Sequence, residues 1–138
     1  MFELLRIIFL KMRYSITLFL FLIPLITCEA QIGNDDWPLF RGRADLAGKI
    51  ESELPASPNL LWSIKTGGTT KSSPVISEGN VYFGNDKGSL VAVSSNGSLR
   101  WKYESGSSID AAPMVFGNKV IFGAGDGILR AVDKNSGK

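Results

Sequence analysis

Beyond residue 70 the chain alternates short runs of β-branched and aromatic residues with clusters of Gly, Asn, Asp and Ser. Residues 80–84 (NVYFG) and 89–93 (SLVAV) are of strand-forming type, and Asn85-Asp86-Lys87-Gly88 between them supplies turn chemistry, so the pair is predicted to be a β-hairpin. Residues 119–123 (KVIFG) and 128–132 (ILRAV), flanking Ala124-Gly125-Asp126-Gly127, predict a second hairpin. An earlier strand is expected over 72–77 (SSPVIS), with Pro74 near its start, and a later one over 99–104 (LRWKYE). Period-2 alternation across a four-residue loop puts Val81, Phe83, Leu90 and Ala92 on one face, matched by Val120, Phe122, Leu129 and Ala131 in the second unit. That face is expected to pack on the neighbouring unit. The opposite face carries Tyr82, Val91 and Val93, which become Ile121, Arg130 and Val132.

The two hairpins belong to a longer repeat. A shift of 39 places Trp62 on Trp101, Gly67 on Gly106, Pro74 on Pro113, Gly84 on Gly123, Gly88 on Gly127 and Ala92 on Ala131, in one register without a gap. Four short strands in each such period match the size of one blade of a β-propeller.

The first 30 residues are of another kind, with none of the 15 glycines of the chain. Arg6, Lys11 and Arg13 precede an uncharged run over 14–27, followed by Cys28-Glu29-Ala30, which is the grammar of an export signal. The run falls short of the ~20 apolar residues a spanning helix needs, and it contains Pro24. Cleavage after Ala30 is favoured; the alternative is a lipoprotein box at Leu25-Ile26-Thr27-Cys28, with Thr27 atypical, which would make Cys28 a lipid anchor. Met12 is an alternative start to Met1. The expected organisation is therefore a signal peptide over 1–30, an extension over 31–58 and repeats over 59–138, with the mature protein in the periplasm or outside the cell.

Charge and composition narrow the chemistry. The net charge of +2 comes from 15 basic and 13 acidic residues that are scattered singly, unlike the clustered footprint of a nucleic-acid binder. With no histidine there is no Ser-His-Asp or Cys-His nucleophile and no histidine-ligated metal, and one cysteine allows no internal disulfide. Asp86 and Asp126 lie in glycine-containing turns and lack the oxygen-rich spacing of a calcium loop. No catalytic, cofactor-binding or metal-binding residue is expected.

Several motifs together resemble the PQQ-like (pyrroloquinoline quinone repeat) β-propeller family. Ala131-x-Asp133-x-x-Ser136-Gly137 is similar to the docking motif of its repeats, with Ser in place of Thr. The stretch from Ala92 to Gly97, leading to Trp101, is a shorter copy with Ser94 in the Asp position. Asp36-Trp37-Pro38-Leu39-Phe40-Arg41-Gly42 resembles the opening of secreted members, and residues 60–68 resemble the strand that begins the first blade. The resemblance implies an all-β fold: a partial β-propeller of about two four-stranded blades from a seven- or eight-bladed ring. It makes Trp62, Trp101, Gly84, Gly88, Gly123, Gly127, Ala131, Asp133 and Gly137 structural blade-docking residues. Trp37 and Arg41 are left without an assigned role.

Two blades cannot close a ring, since propellers use at least about four. The expectation is thus an N-terminal piece of a longer secreted protein. Its expected role is that of a non-catalytic binding or scaffold propeller of the bacterial cell envelope, with protein partners, no cofactor and no nucleic acid. The alternative is the N-terminal part of a PQQ- and calcium-dependent quinoprotein dehydrogenase.

Overall fold

Among the described residues, seven antiparallel strands in two sheets, built one after the other along the chain, make up the regular structure. The structure is a computed structural model that describes residues 36–50 and 55–138; the expected export signal, Cys28 and both candidate starts lie outside these residues. Sheet A has the order β1 (Val75–Ser77), β2 (Asn80–Gly84), β3 (Ser89–Ser94), β4 (Leu99–Glu104). Sheet B repeats the first three as β5 (Met114–Phe116), β6 (Lys119–Gly123), β7 (Leu129–Asp133). No helix occurs among the described residues, and the fold is that of a partial β-propeller. The strand expected over 72–77 begins only at Val75, because Pro74 has no N–H to give to a ladder.

One register differs from the sequence expectation and reverses the faces. In the first hairpin Asn85 N–H donates to Ser89 O at 3.1 Å and Gly88 N–H to Asn85 O at 3.2 Å, so the loop is the three residues Asp86-Lys87-Gly88 rather than four. Gly88 takes φ of +86°, the left-handed position of a three-residue hairpin loop. Pairing then sets Val81 opposite Val93, Tyr82 opposite Ala92 and Phe83 opposite Val91. A one-residue slip moves side chains to the other face. Hence Val81 and Phe83 share a face with Val91 and Val93, not with Leu90 and Ala92. The second hairpin repeats the correction, with Val120 opposite Val132, Phe122 opposite Arg130 and Ile121 opposite Ala131.

With faces assigned this way, the core is explained. Tyr82, Leu90, Ala92 and Trp101 of sheet A pack on Val115, Val120, Phe122 and Val132 of sheet B, together with Ile109 from the connection. Leu90, Ala92 and Val120 are wholly withdrawn from solvent. At roughly 1.5–3 kcal/mol for each large apolar side chain fully buried, this inter-sheet layer is the main source of cohesion. Tyr82 lies tilted against Trp101 at 5.8 Å between ring centres, and Tyr103 meets Phe122 edge-on at 5.7 Å. A second cluster, Phe83, Val91 and Val93, lies on the far side of sheet A under Trp62 and Ile64.

Residues 60–68, expected as the strand that begins the first blade, have no ladder partner among the described residues and are not a strand. They still keep a strand's alternation, exposed at Leu61, Ser63 and Lys65 and half-buried at Trp62, Ile64 and Thr66.

Candidate functional site

Two tryptophan seats, built by the same local chemistry, hold the repeats. In the second, the Asp133 carboxylate accepts from the N–H of Asn135 at 3.0 Å and of Ser136 at 2.9 Å, and from the Ser136 hydroxyl at 3.0 Å. Those contacts, Ser136 foremost, hold the Asp133 carboxyl below the usual carboxylate range. The turn thus fixed offers the Lys134 carbonyl to the indole N–H of Trp101 at 2.9 Å. Gly137, at φ +71°, lies flat beneath the ring, where an added Cβ would stand 2.7 Å from it.

The first seat has different residues and the same result. Ser94 and Asn96 replace the carboxylate, the Asn96 side chain accepting the Ser98 N–H at 3.1 Å. The Trp62 indole donates to Ser95 O at 2.7 Å, and a Cβ on Gly97 would stand 2.6 Å from its ring. Both indole bonds join residues 33 apart. The connections beyond them match as well: Asp86 N–H donates to Thr69 O at 3.0 Å, as Gly125 N–H donates to Ser108 O at 2.8 Å.

The other residues expected at blade contacts divide by repeat. In sheet A they are engaged. A Cβ on Gly84 would stand 2.3 Å from Ile109 Cγ2 and 2.6 Å from its carbonyl oxygen, and one on Gly88 would stand 2.7 Å from Ser107 O. Their counterparts Gly123 and Gly127 meet nothing within 4 Å, and Ala131 is exposed where Ala92 is buried. The structure thus places Trp62, Trp101, Gly84, Gly88, Asp133 and Gly137 in contacts, and leaves Gly123, Gly127 and Ala131 on an open face.

Trp37 and Arg41, unassigned from sequence, now have places. Trp37 exchanges two backbone hydrogen bonds of 2.8 Å with Ile76 on the outer edge of β1, and Pro38 O accepts the Val115 N–H of β5 at 2.7 Å. One dipeptide therefore bridges the first strands of both sheets. Asp36 secures it, accepting the Glu78 N–H at 2.9 Å. The Trp37 ring covers Gly42, where a Cβ would stand 2.6 Å away, and Arg41, at φ +62°, lies beside Gly48. The Asp-Trp-Pro order was the available signal: Trp37 pairs through its backbone, and Pro38 contributes only a carbonyl.

The polar groups that invite a chemical reading serve local structure. Asp126 forms an ion pair of 2.5 Å with Arg130 and accepts the Ile128 N–H; the guanidinium and that amide hold it down to about 2. Asp86 accepts the Thr69 N–H at 2.9 Å. A shallow concavity bordered by Phe40, Lys71, Ser73 and Asp110 holds one charge of each sign, and Asp110 there accepts from Ser108 at 3.0 Å. Among the described residues no three carboxylate or thiol side chains converge as a cation would require. Among the described residues this donor set does not fit calcium.

The family model described as outer membrane protein assembly factor BamB matches residues 47–138. Among solved structures, BamB from Moraxella catarrhalis is similar at TM-score 0.52 and 28% identity, over 56% of this chain and 25% of its own. Quinohemoprotein alcohol dehydrogenase from Comamonas testosteroni is similar at TM-score 0.66 and 21% identity, over 79% of this chain and 19% of its own, a likeness of fold alone. No curated protein matches the sequence. The chain spans about a quarter or less of the length of these relatives.

Proposed function

The chain belongs to the BamB-like family of PQQ-type β-propeller repeats, and from that membership we propose that it is a binding or scaffold module of the bacterial envelope, without catalytic chemistry of its own. The observation that carries the reading is the family match over residues 47–138, joined to what the side chains in that span do. Asp86, Asp126 and Asp133 build turns, and Trp62 and Trp101 cap the turns beneath them. We infer that Trp62, Trp101, Gly84, Gly88, Asp133 and Gly137 dock blade to blade, and that Gly123, Gly127 and Ala131 are the same device on the open side. The leading 30 residues are taken as the export signal that delivers the module, and envelope proteins as its partners.

Cell fractionation with crosslinking tests this reading. The chain should appear in the envelope fraction and crosslink there to a discrete protein. Titration with PQQ and calcium should give no saturable absorbance change. Saturable binding accompanied by alcohol-dependent dye reduction would replace the scaffold with the dehydrogenase.

A further inference from the structure

Asn96 is the one asparagine of the chain that is followed by glycine. The main-chain nitrogen after an asparagine is placed to attack that residue's own side-chain amide. A Cβ on the following residue obstructs the approach, and glycine has none. Asn59, Asn80, Asn85, Asn118 and Asn135 are each followed by a residue that carries a side chain.

The fold adds to that intrinsic reactivity. Asn96 is exposed to water on the turn after β3. Its side-chain oxygen accepts the Ser98 N–H at 3.1 Å and the Ser94 hydroxyl at 2.5 Å, a hydroxyl that also lies 3.2 Å from Ser98 O. Two donors thus stand where negative charge develops when the amide carbon is attacked, the arrangement that stabilises an oxyanion. The side-chain nitrogen, which must leave, donates to no group among the described residues. Asn135, at the matching position of the second seat, is the reverse case: Asn118 Oδ1 holds its side-chain nitrogen at 3.2 Å, and Ser136 follows it. The Gly97 N–H donates to Ser94 O at 2.8 Å, so attack waits on the opening of one bond in an exposed turn.

We propose that Asn96 is a site of spontaneous covalent modification whose isomerised product releases Trp62 from its seat. Gly97 N bonds to Asn96 Cγ, the Cγ–Nδ2 bond breaks, and the Gly97 amide proton leaves with that nitrogen as ammonia. The product is a cyclic imide, which water opens in one of two ways. Addition of water at Cγ restores the ordinary backbone and leaves aspartate. Addition at the main-chain carbonyl leaves isoaspartate, with the chain now running through Cβ and Cγ and lengthened by one methylene.

That lengthening falls between the two groups that hold the indole. On one side of Asn96, Ser95 O accepts the Trp62 indole N–H at 2.7 Å; on the other, a Cβ on Gly97 would stand 2.6 Å from the ring. A seat this close has no room for another methylene between its hydrogen bond and its floor. Trp62 and Ile64 then withdraw from Phe83, Val91 and Val93, and that apolar cluster opens to solvent. Aspartate at 96 keeps the spacing, and its carboxylate accepts the Ser98 N–H as Asp133 accepts the Asn135 N–H.

Ageing the full 138-residue chain at mildly alkaline pH, followed by peptide mapping in a mass spectrometer, tests the chemistry. Conversion at Asn96 should run well ahead of every other asparagine, read as the mass difference between a hydroxyl and an amino group, with the isoaspartate share labelled by isoaspartyl methyltransferase. Ser94→Ala, which removes one of the two donors to Asn96 Oδ1, should slow it. Limited trypsin digestion of the intact aged protein reads the seat. Cleavage after Lys65 should quicken in the isoaspartate fraction, while fresh Asn96→Asp should be cut no faster than the unmodified chain. Two results would overturn the proposal: Asn96 remaining intact while other asparagines convert, or isoaspartate-bearing protein cut after Lys65 at the unmodified rate. A conversion rate unchanged in Ser94→Ala would remove the part assigned to the two donors.

Discussion

Gly84 and Gly123 occupy the same place in successive repeats, yet the same substitution should have opposite consequences. Neither has a positive φ, so an alanine adopts either backbone without strain and the outcome depends on space alone. At Gly84 the new methyl would stand 2.3 Å from Ile109 Cγ2 and 2.6 Å from both Ile109 Cβ and Ile109 O. Ile109 is fully buried between the sheets and the oxygen is backbone, so relief requires the inter-sheet layer to open. Overpacking of this kind costs ~1–3 kcal/mol, and three contacts this short put Gly84→Ala near the upper end. At Gly123 the methyl meets nothing within 4 Å, and loss of glycine's freedom in the unfolded chain should leave Gly123→Ala neutral or more stable by ~0.4–1 kcal/mol. Urea unfolding at high dilution, followed by tryptophan fluorescence, measures both. With a slope of ~1–3 kcal/mol per molar, Gly84→Ala should lower the midpoint by roughly 1–3 M and Gly123→Ala should not lower it. Equal midpoints for the two glycine variants would refute the assignment of which sheet face is covered.

Trp101→Phe keeps most of the apolar ring and removes the donor to Lys134 O, so it should cost ~1–2 kcal/mol, against ~3–5 for Trp101→Ala, in the same unfolding assay. Asp126 is held down to about 2 from an ordinary 3.8, so its contribution to stability is present above pH 3.8 and lost as pH falls toward 2. NMR titration of its carboxyl should find that lowered midpoint, and Arg130→Gln should return it toward the ordinary value. Asp36→Ala removes the acceptor for Glu78 N–H, and hydrogen exchange should then quicken at the amides of Trp37, Ile76 and Val115, with the β2–β3 ladder unaffected.

The strands were legible where residue type and punctuation agreed. Residues 80–84, 99–104 and 119–123 were bounded as found, since Asn, Gly and Ser flank runs that prefer pleated backbone. The faces were not legible, because alternation fixes neighbours within a strand while register across a hairpin depends on the loop. Asn85 joined to Ser89, with Gly88 in the left-handed position, was the deciding detail, and a glycine three residues after Asn85 is compatible with either loop length. The tryptophan seats were visible as motifs, but their target carbonyls were not: the partners Ser95 and Lys134 contribute only backbone, which any residue supplies. The role of Trp37 escaped for the same reason.

The spacing within each tryptophan seat bears on how such a protein changes over generations. Each indole bonds a carbonyl 33 residues further on, a distance shorter than the 39-residue repeat, so the span from one tryptophan to the next carries a whole plug and its own socket. Unequal recombination that adds or removes one period therefore leaves every remaining plug matched to a socket, wherever the crossover falls. Blade number becomes a quantity that lineages alter by copying errors, with no new contact to invent.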